Sequence, residues 1–193
     1  MPRRAGLTTA IVVQAAVDLL NREGPEALTL NRLAERLGVQ PPSLYNHIGG
    51  FSDLKRELAR LNAANLGECF TQAAVGKSGP KAIEAVAQAY RGYILENYGL
   101  YMASLRASRN MPPGDPQLEA TEGRVVQVVL TILESFGLEG EDAVHAVRGL
   151  RSLVHGFATL EAAGGFGLPL DCDESFRRLV RIFIRGLEHG YYA

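Results

Sequence analysis

Between Asn31 and His47 the chain gathers side chains that form directional hydrogen bonds: the amides of Asn31, Gln40 and Asn46, the hydroxyls of Ser43 and Tyr45, and the His47 imidazole. An Asn or Gln amide can bond an adenine edge in two places at once, and a proline ring such as those of Pro41 and Pro42 can pack on a thymine methyl. Chemistry of this kind is base and backbone recognition rather than bond making.

Groups that could make bonds are present but do not converge. His155 and Glu161 are six positions apart, which on a helix places them roughly 120° apart around the axis and argues against a shared metal or an acid–base pair. His145 and His155 share a face but stand about 15 Å apart along it, too far for one ion. Cys69 and Cys172 are isolated, without a paired-cysteine motif, so neither a metal site nor a structural disulfide is expected. Gly76-Lys77-Ser78 resembles the end of a phosphate loop, yet Thr71 stands where that loop needs its upstream glycine. No catalytic residue, metal or cofactor is expected.

The recognition groups need a scaffold, and the spacing around them supplies one. Thr29 suits a helix N-cap, and Leu30, Leu33, Ala34 and Leu37 recur at the spacing of one short amphipathic helix. Gly38 can take the left-handed conformation that turns the chain, after which Val39 and Leu44 are apolar anchors for a second helix whose other side carries Gln40, Ser43, Tyr45, Asn46 and His47. Pro41 and Pro42 fit the first turn of that helix, where a missing amide hydrogen costs nothing. Upstream, Val12, Ala15, Ala16, Leu19 and Leu20 form one stripe that Gly24-Pro25 ends. The pattern reads as a helix-turn-helix, although two short helices around a glycine also occur as plain packing motifs in all-α proteins.

The order Leu-Ala-x-x-Leu-Gly-Val, four residues, then Leu-Tyr-x-His closely resembles the DNA-binding domain of the tetracycline-repressor (TetR) family of transcriptional regulators, over roughly residues 8 to 56. The resemblance implies that Tyr45 and His47 touch DNA phosphates, that Gln40, Pro41, Pro42 and Ser43 supply base or backbone contacts, and that Asn31 reaches a base edge. Thr29, Asn46 and Lys55 complete the expected DNA-binding set. Many relatives carry a phosphate-gripping lysine at the start of the fourth helix; this chain has Phe51 there, with Lys55 or Arg56 as candidate substitutes one turn later.

Helical periodicity continues to the end of the chain, with no alternating strand pattern, so the expected fold is all-α: a three-helix helix-turn-helix head over residues 1–52 and a helical body over residues 53–193, for which the resemblance implies effector binding and dimerisation. Helices are predicted from Ser52 to about Ala74, from Lys81 past Ile94, over Leu100 to Ser108, Leu118 to Phe136, Glu141 to Ala163 and Glu174 to His189, with an extended proline-rich loop from Asn110 to Pro116. Leu153-Val154-His155-Gly156-Phe157 resembles the signature of a TetR subgroup whose body is named for a Trp-His-Gly tripeptide, with Val154 in place of the tryptophan. That resemblance implies a small effector bound in the body. Tyr90, Tyr93, Asn97, Tyr98, Tyr101, Met102 and His155 are the candidate polar or adaptable contacts, and Val125, Val129 and Phe157 the candidate wall; such a lining suits a small apolar or amphipathic molecule. Val147, Leu150, Val154, Phe176, Leu179, Phe183 and Leu187 give the last two helices more apolar surface than one packed side needs. The protein's own core could consume both stripes; the resemblance implies instead that they are candidates for a homodimer interface that presents two heads to a palindromic operator in double-stranded DNA.

Charge agrees in sign. Through residue 60 the chain carries a net +2, against −1 for the whole chain, which excludes a generally basic nucleic-acid coat protein. Arg3 and Arg4 could reach a minor groove. At 193 residues and 47% hydrophobic content, the chain has enough apolar material for a sizeable core; it has no apolar run of membrane-spanning length and no signal-peptide pattern after Met1, so a cytoplasmic location is expected. The expected function is a repressor released from its operator by an effector. The alternative is an all-α enzyme or a protein-binding scaffold with a degenerate head, for which Phe51 and the small charge excess speak.

Overall fold

The computed structural model describes residues 6–110 and 115–190; Arg3, Arg4 and most of the proline-rich loop lie outside the described residues. Every regular element among the described residues is helical, as the periodicity predicts. In chain order these are α1 (Thr9–Glu23), a single 3₁₀ turn (Pro25–Ala27), α2 (Leu30–Leu37), α3 (Pro41–Leu44), α4 (Phe51–Ala74), α5 (Gly79–Glu96), α6 (Tyr98–Asn110), α7 (Pro116–Glu134), α8 (Gly140–Ala162) and α9 (Cys172–Glu188).

The helices start and stop where local chemistry dictates. Thr8 caps α1 by accepting from the Ile11 amide, and Thr29 caps α2 by accepting from the Arg32 amide. Gly38 ends α2 in the left-handed conformation (φ 66°, ψ 32°); its own amide bonds the Glu35 carbonyl and the Val39 amide bonds that of Ala34, which satisfies two carbonyls the helix would otherwise leave open.

The chain forms two compact units. The first ends at Asn62 and also takes in Asn97–Leu118, so that α6 joins α1, α2, α3 and the first half of α4. Its core is continuous: Val12, Ala16, Leu20, Leu33, Leu44, Leu54, Leu58 and Leu100 are buried together. α6 meets α1 backbone to backbone. A Cβ on Gly99 would collide with the Leu20 carbonyl, so only glycine permits the approach. Asn21 of α1 accepts from the Leu100 amide at 3.0 Å, capping one of the open amides at the start of α6. On α6, the Ser104 hydroxyl donates to the Leu100 carbonyl at 2.7 Å.

The second unit holds the rest of α4 with α5, α7, α8 and α9. α5 packs on both α8 and α9, which also pack on each other. Arg91 is the polar centre of this unit. Only 7% exposed, it makes two parallel hydrogen bonds to the Glu161 carboxylate (2.7 and 2.5 Å) and a 2.8 Å ion pair with Asp173. Its guanidinium lies over the rings of Phe157 and Phe176, with centroids at 5.6 and 5.1 Å. Glu161 and Asp173 hold the Arg91 charge firmly in place, raising its already high pKa, so the cation is fully partnered and serves to join α5 to α8 and α9.

Candidate nucleic-acid interface

The candidate interface is built on α3 and the turn that follows it. The sequence reading puts Tyr45, Asn46 and His47 on a second helix, but α3 is one α-helical turn. Beyond Leu44 the chain tightens: the amides of Tyr45, Asn46 and His47 bond the carbonyls three residues back, those of Pro42, Ser43 and Leu44. The two prolines stand in the first turn, where no ladder bond is lost; Gly49 and Gly50, with Gly50 at φ 133°, follow at once and keep the segment short. Leu44 and Ile48 point into the core, while Tyr45, between them, is 58% exposed.

Two contacts fix this segment in place. The Thr9 hydroxyl, at the start of α1, donates to the His47 carbonyl at 2.8 Å. The Gly49 amide donates to the Asp53 carboxylate at 3.0 Å, and Arg56 bonds the same carboxylate at 3.2 Å. Together these hydrogen bonds hold the Asp53 carboxyl below the usual carboxylate range, the amide of Gly49 being the larger cause.

Around this frame the expected contact groups stand outward. Asn31, Gln40, Pro42, Tyr45, Asn46 and Lys55 are exposed; Pro41, Ser43 and His47 are half-buried. The Thr29 hydroxyl accepts from the Arg32 amide, which leaves its hydrogen free to donate outward. Arg32 pairs with Glu23 and Arg36 with Asp18, so these two cations of α2 are engaged within the protein. Lys55 instead lies 4.4 Å over the ring of Phe51.

The effector candidates fall in both units. Asn97, Tyr98, Tyr101 and Met102 belong to the first, with Tyr101 fully buried. Tyr90, Tyr93, Val125, Val129, His155 and Phe157 belong to the second. There Tyr90 meets Phe70 edge to face at 5.1 Å, and burial pushes the Tyr93 phenol up to about 12. Burial, aided by Arg151, lowers the pKa of His155, and Phe157 packs against Phe166 and Phe176.

A groove of about 940 Å³ lies in the second unit between α4 and α7, lined by Ala63, Gly67, Glu68, Thr71, Thr121, Arg124, Val128 and Ser135 among others. None of the sequence candidates lines this groove. Its signal was present in the small side chains at four-residue spacing on α4, Ala63, Gly67 and Thr71.

Of the candidates for the dimer interface, Leu150, Val154, Phe176 and Leu187 are buried within the single chain and have no area left for a second one. Their apolar surface is spent where α5, α8 and α9 pack together. Val147, Leu179 and Phe183 keep partial exposure, while Val144 and Ile182 on the same two helices are 40% and 67% exposed.

Comparison with known proteins is consistent from end to end. Residues 12–51 match the family described as bacterial regulatory proteins, tetR family, and residues 83–183 match the tetracyclin repressor-like C-terminal domain. The chain is 35% identical over 188 residues to the helix-turn-helix-type transcriptional regulator YobS of Bacillus subtilis, covering 97% of this chain and 96% of that one. It is 33% identical over 160 residues to the class A tetracycline repressor of Escherichia coli, covering 79% and 66%. Among solved structures, a protein of unknown function from Rhodococcus sp. RHA1 superposes with a TM-score of 0.81 at 22% identity, over 97% of this chain and 99% of that one. A TetR variant from Acinetobacter baumannii AYE in complex with minocycline superposes with a TM-score of 0.72 at 25% identity, over 97% and 100%.

Proposed function

The chain belongs to the TetR family of helix-turn-helix transcriptional regulators, which are not enzymes, and from that membership we propose that it is a repressor that binds a palindromic operator as a homodimer and is released by a small effector. The observation that carries the reading is the outward row on and after α3, pinned from behind by Leu44 and Ile48 and at its end by the Thr9–His47 hydrogen bond. In this reading Gln40, Pro41, Pro42 and Ser43, with Asn31, read base edges. Tyr45 and His47 hold phosphates, with Thr29, Asn46 and Lys55 at the margin.

A dimer forms through the exposed parts of α8 and α9, with Val144, Val147, Leu179, Ile182 and Phe183 between the two copies. The body is of the Trp-His-Gly type, with Val154 buried at the tryptophan position. The effector is a small amphipathic molecule, and the groove between α4 and α7 suits one, with an apolar floor and the charged Glu68 and Arg124 at hand. The minocycline complex of a structural relative supports an organic ligand. The effector acts only through unequal affinity for two arrangements of the heads, of which one fits a single helical turn of DNA.

Selecting bound duplexes from a random pool tests the reading. Enrichment of a palindrome with half-sites about one helical turn apart is expected; no enrichment even at low salt would overturn it in favour of a scaffold.

A further inference from the structure

Among the described side chains of the first unit up to Arg60, little positive charge is free. Arg32, Arg36, Arg56 and Arg60 are ion-paired, to Glu23, Asp18, Asp53 and Asp115 respectively. Arg22 and Lys55 are the two described cations of that stretch without an ion pair. Arg22 lies about 20 Å along α1 from Thr9, the residue that bonds His47, since each helical residue advances about 1.5 Å. Lys55 is on the same turn of α4 as Asp53, whose carboxylate holds the Gly49 amide immediately after the recognition segment. Of these two free cations it is therefore the one beside the candidate interface, and Arg56, committed to Asp53, is not its equal.

Lys55 is also held. A lysine ammonium on a four-carbon stem is mobile and loses much rotamer freedom when it binds. Here it rests 4.4 Å over the Phe51 ring, four residues earlier on the helix, while Phe51 itself packs partly against the buried core of the unit. An aromatic face attracts a cation through its quadrupole, and a face anchored to the core fixes where that attraction points. We propose that Phe51 is a positioning residue which holds the Lys55 ammonium ready for a phosphate of the duplex. The aromatic ring and the lysine then act as one device spread over two positions.

This rests on the regulator reading, and its test separates the two. The full chain and its variants are titrated, by fluorescence anisotropy across a salt series, against the duplex that the wild type enriches. Lys55→Gln is expected to weaken binding about tenfold per head near 0.1 M salt and to lower the slope of log affinity against log salt by about one per head. Phe51→Leu, which keeps an apolar anchor but no ring, is expected to weaken binding about threefold per head, Phe51→Tyr to restore it, and Phe51→Leu to cost nothing further once Lys55 is Gln. Thermal midpoints of each variant separate loss of fold from loss of contact.

Unchanged affinity and slope in Lys55→Gln would overturn the proposal while leaving the regulator reading intact. So would a Phe51→Leu penalty of equal size with and without the lysine. Should Phe51→Leu not fold, Phe51→Met takes its place in the same cycle: it keeps the apolar anchor without a ring, and the same penalty with and without the lysine would overturn the proposal. A wild type that enriches no duplex would overturn the regulator reading and this proposal with it.

Discussion

Tyr45 stands between two fully inward neighbours, Leu44 and Ile48, and more than half of its surface faces water. A large aromatic group kept outside a core that has inward positions on both sides contributes little to the fold, and the proposed function gives it a DNA phosphate to hold. Replacing it with alanine should weaken binding to selected and random duplexes alike, by about tenfold, because a phosphate contact carries no sequence information. Anisotropy titrations on both duplexes, with an unchanged thermal midpoint, would bear this out; full affinity after Tyr45→Ala would sink the docking geometry. The outward groups were legible from the sequence because polar side chains alternate there with a few obligatory apolar anchors. The pairing of Lys55 with Phe51 was not, since i,i+4 spacing brings the two side chains near each other without fixing the rotamers that lay the ammonium over the ring.

Elements were legible where caps announce them. Thr29 and Gly38 bracket α2 as read from the sequence, and the long body helices begin and end within a few residues of their expected limits. α3 is shorter than its pattern suggested, because apolar spacing says which face is buried and not whether the backbone is an α-helix or a run of tighter turns. Least legible was the place of α6. Its union with α1 depends on the absence of a side chain at Gly99, 79 positions from Leu20, and on Asn21 meeting an amide as far away again. Neither has a local periodicity. Gly99→Ala should lower the urea midpoint of unfolding by an amount worth about 1–3 kcal/mol, since the obstructing atom belongs to backbone and cannot swing aside. An unchanged midpoint would mean that α6 does not pack this closely.

For the whole molecule, burial within the single chain narrows the surface left for assembly. With Leu150, Val154, Phe176 and Leu187 buried inside, the 67%-exposed Ile182 is the most telling apolar group remaining on α9. For the proposed homodimer, Ile182→Glu should shift sedimentation from dimer to monomer and leave the fold intact; a dimer that persists would place the interface elsewhere, and a monomeric wild type would overturn the dimer itself. The membership of α6 in the first unit bears on a different enterprise, the building of hybrid regulators by exchange of parts. A single junction after the third or fourth helix would carry away Leu20 and Asn21 while leaving behind the helix they receive, and the transplanted piece would arrive with Leu100 missing from its core. A graft that keeps its donor's specificity needs two excised segments, one ending near Asn62 and the other spanning Asn97–Leu118.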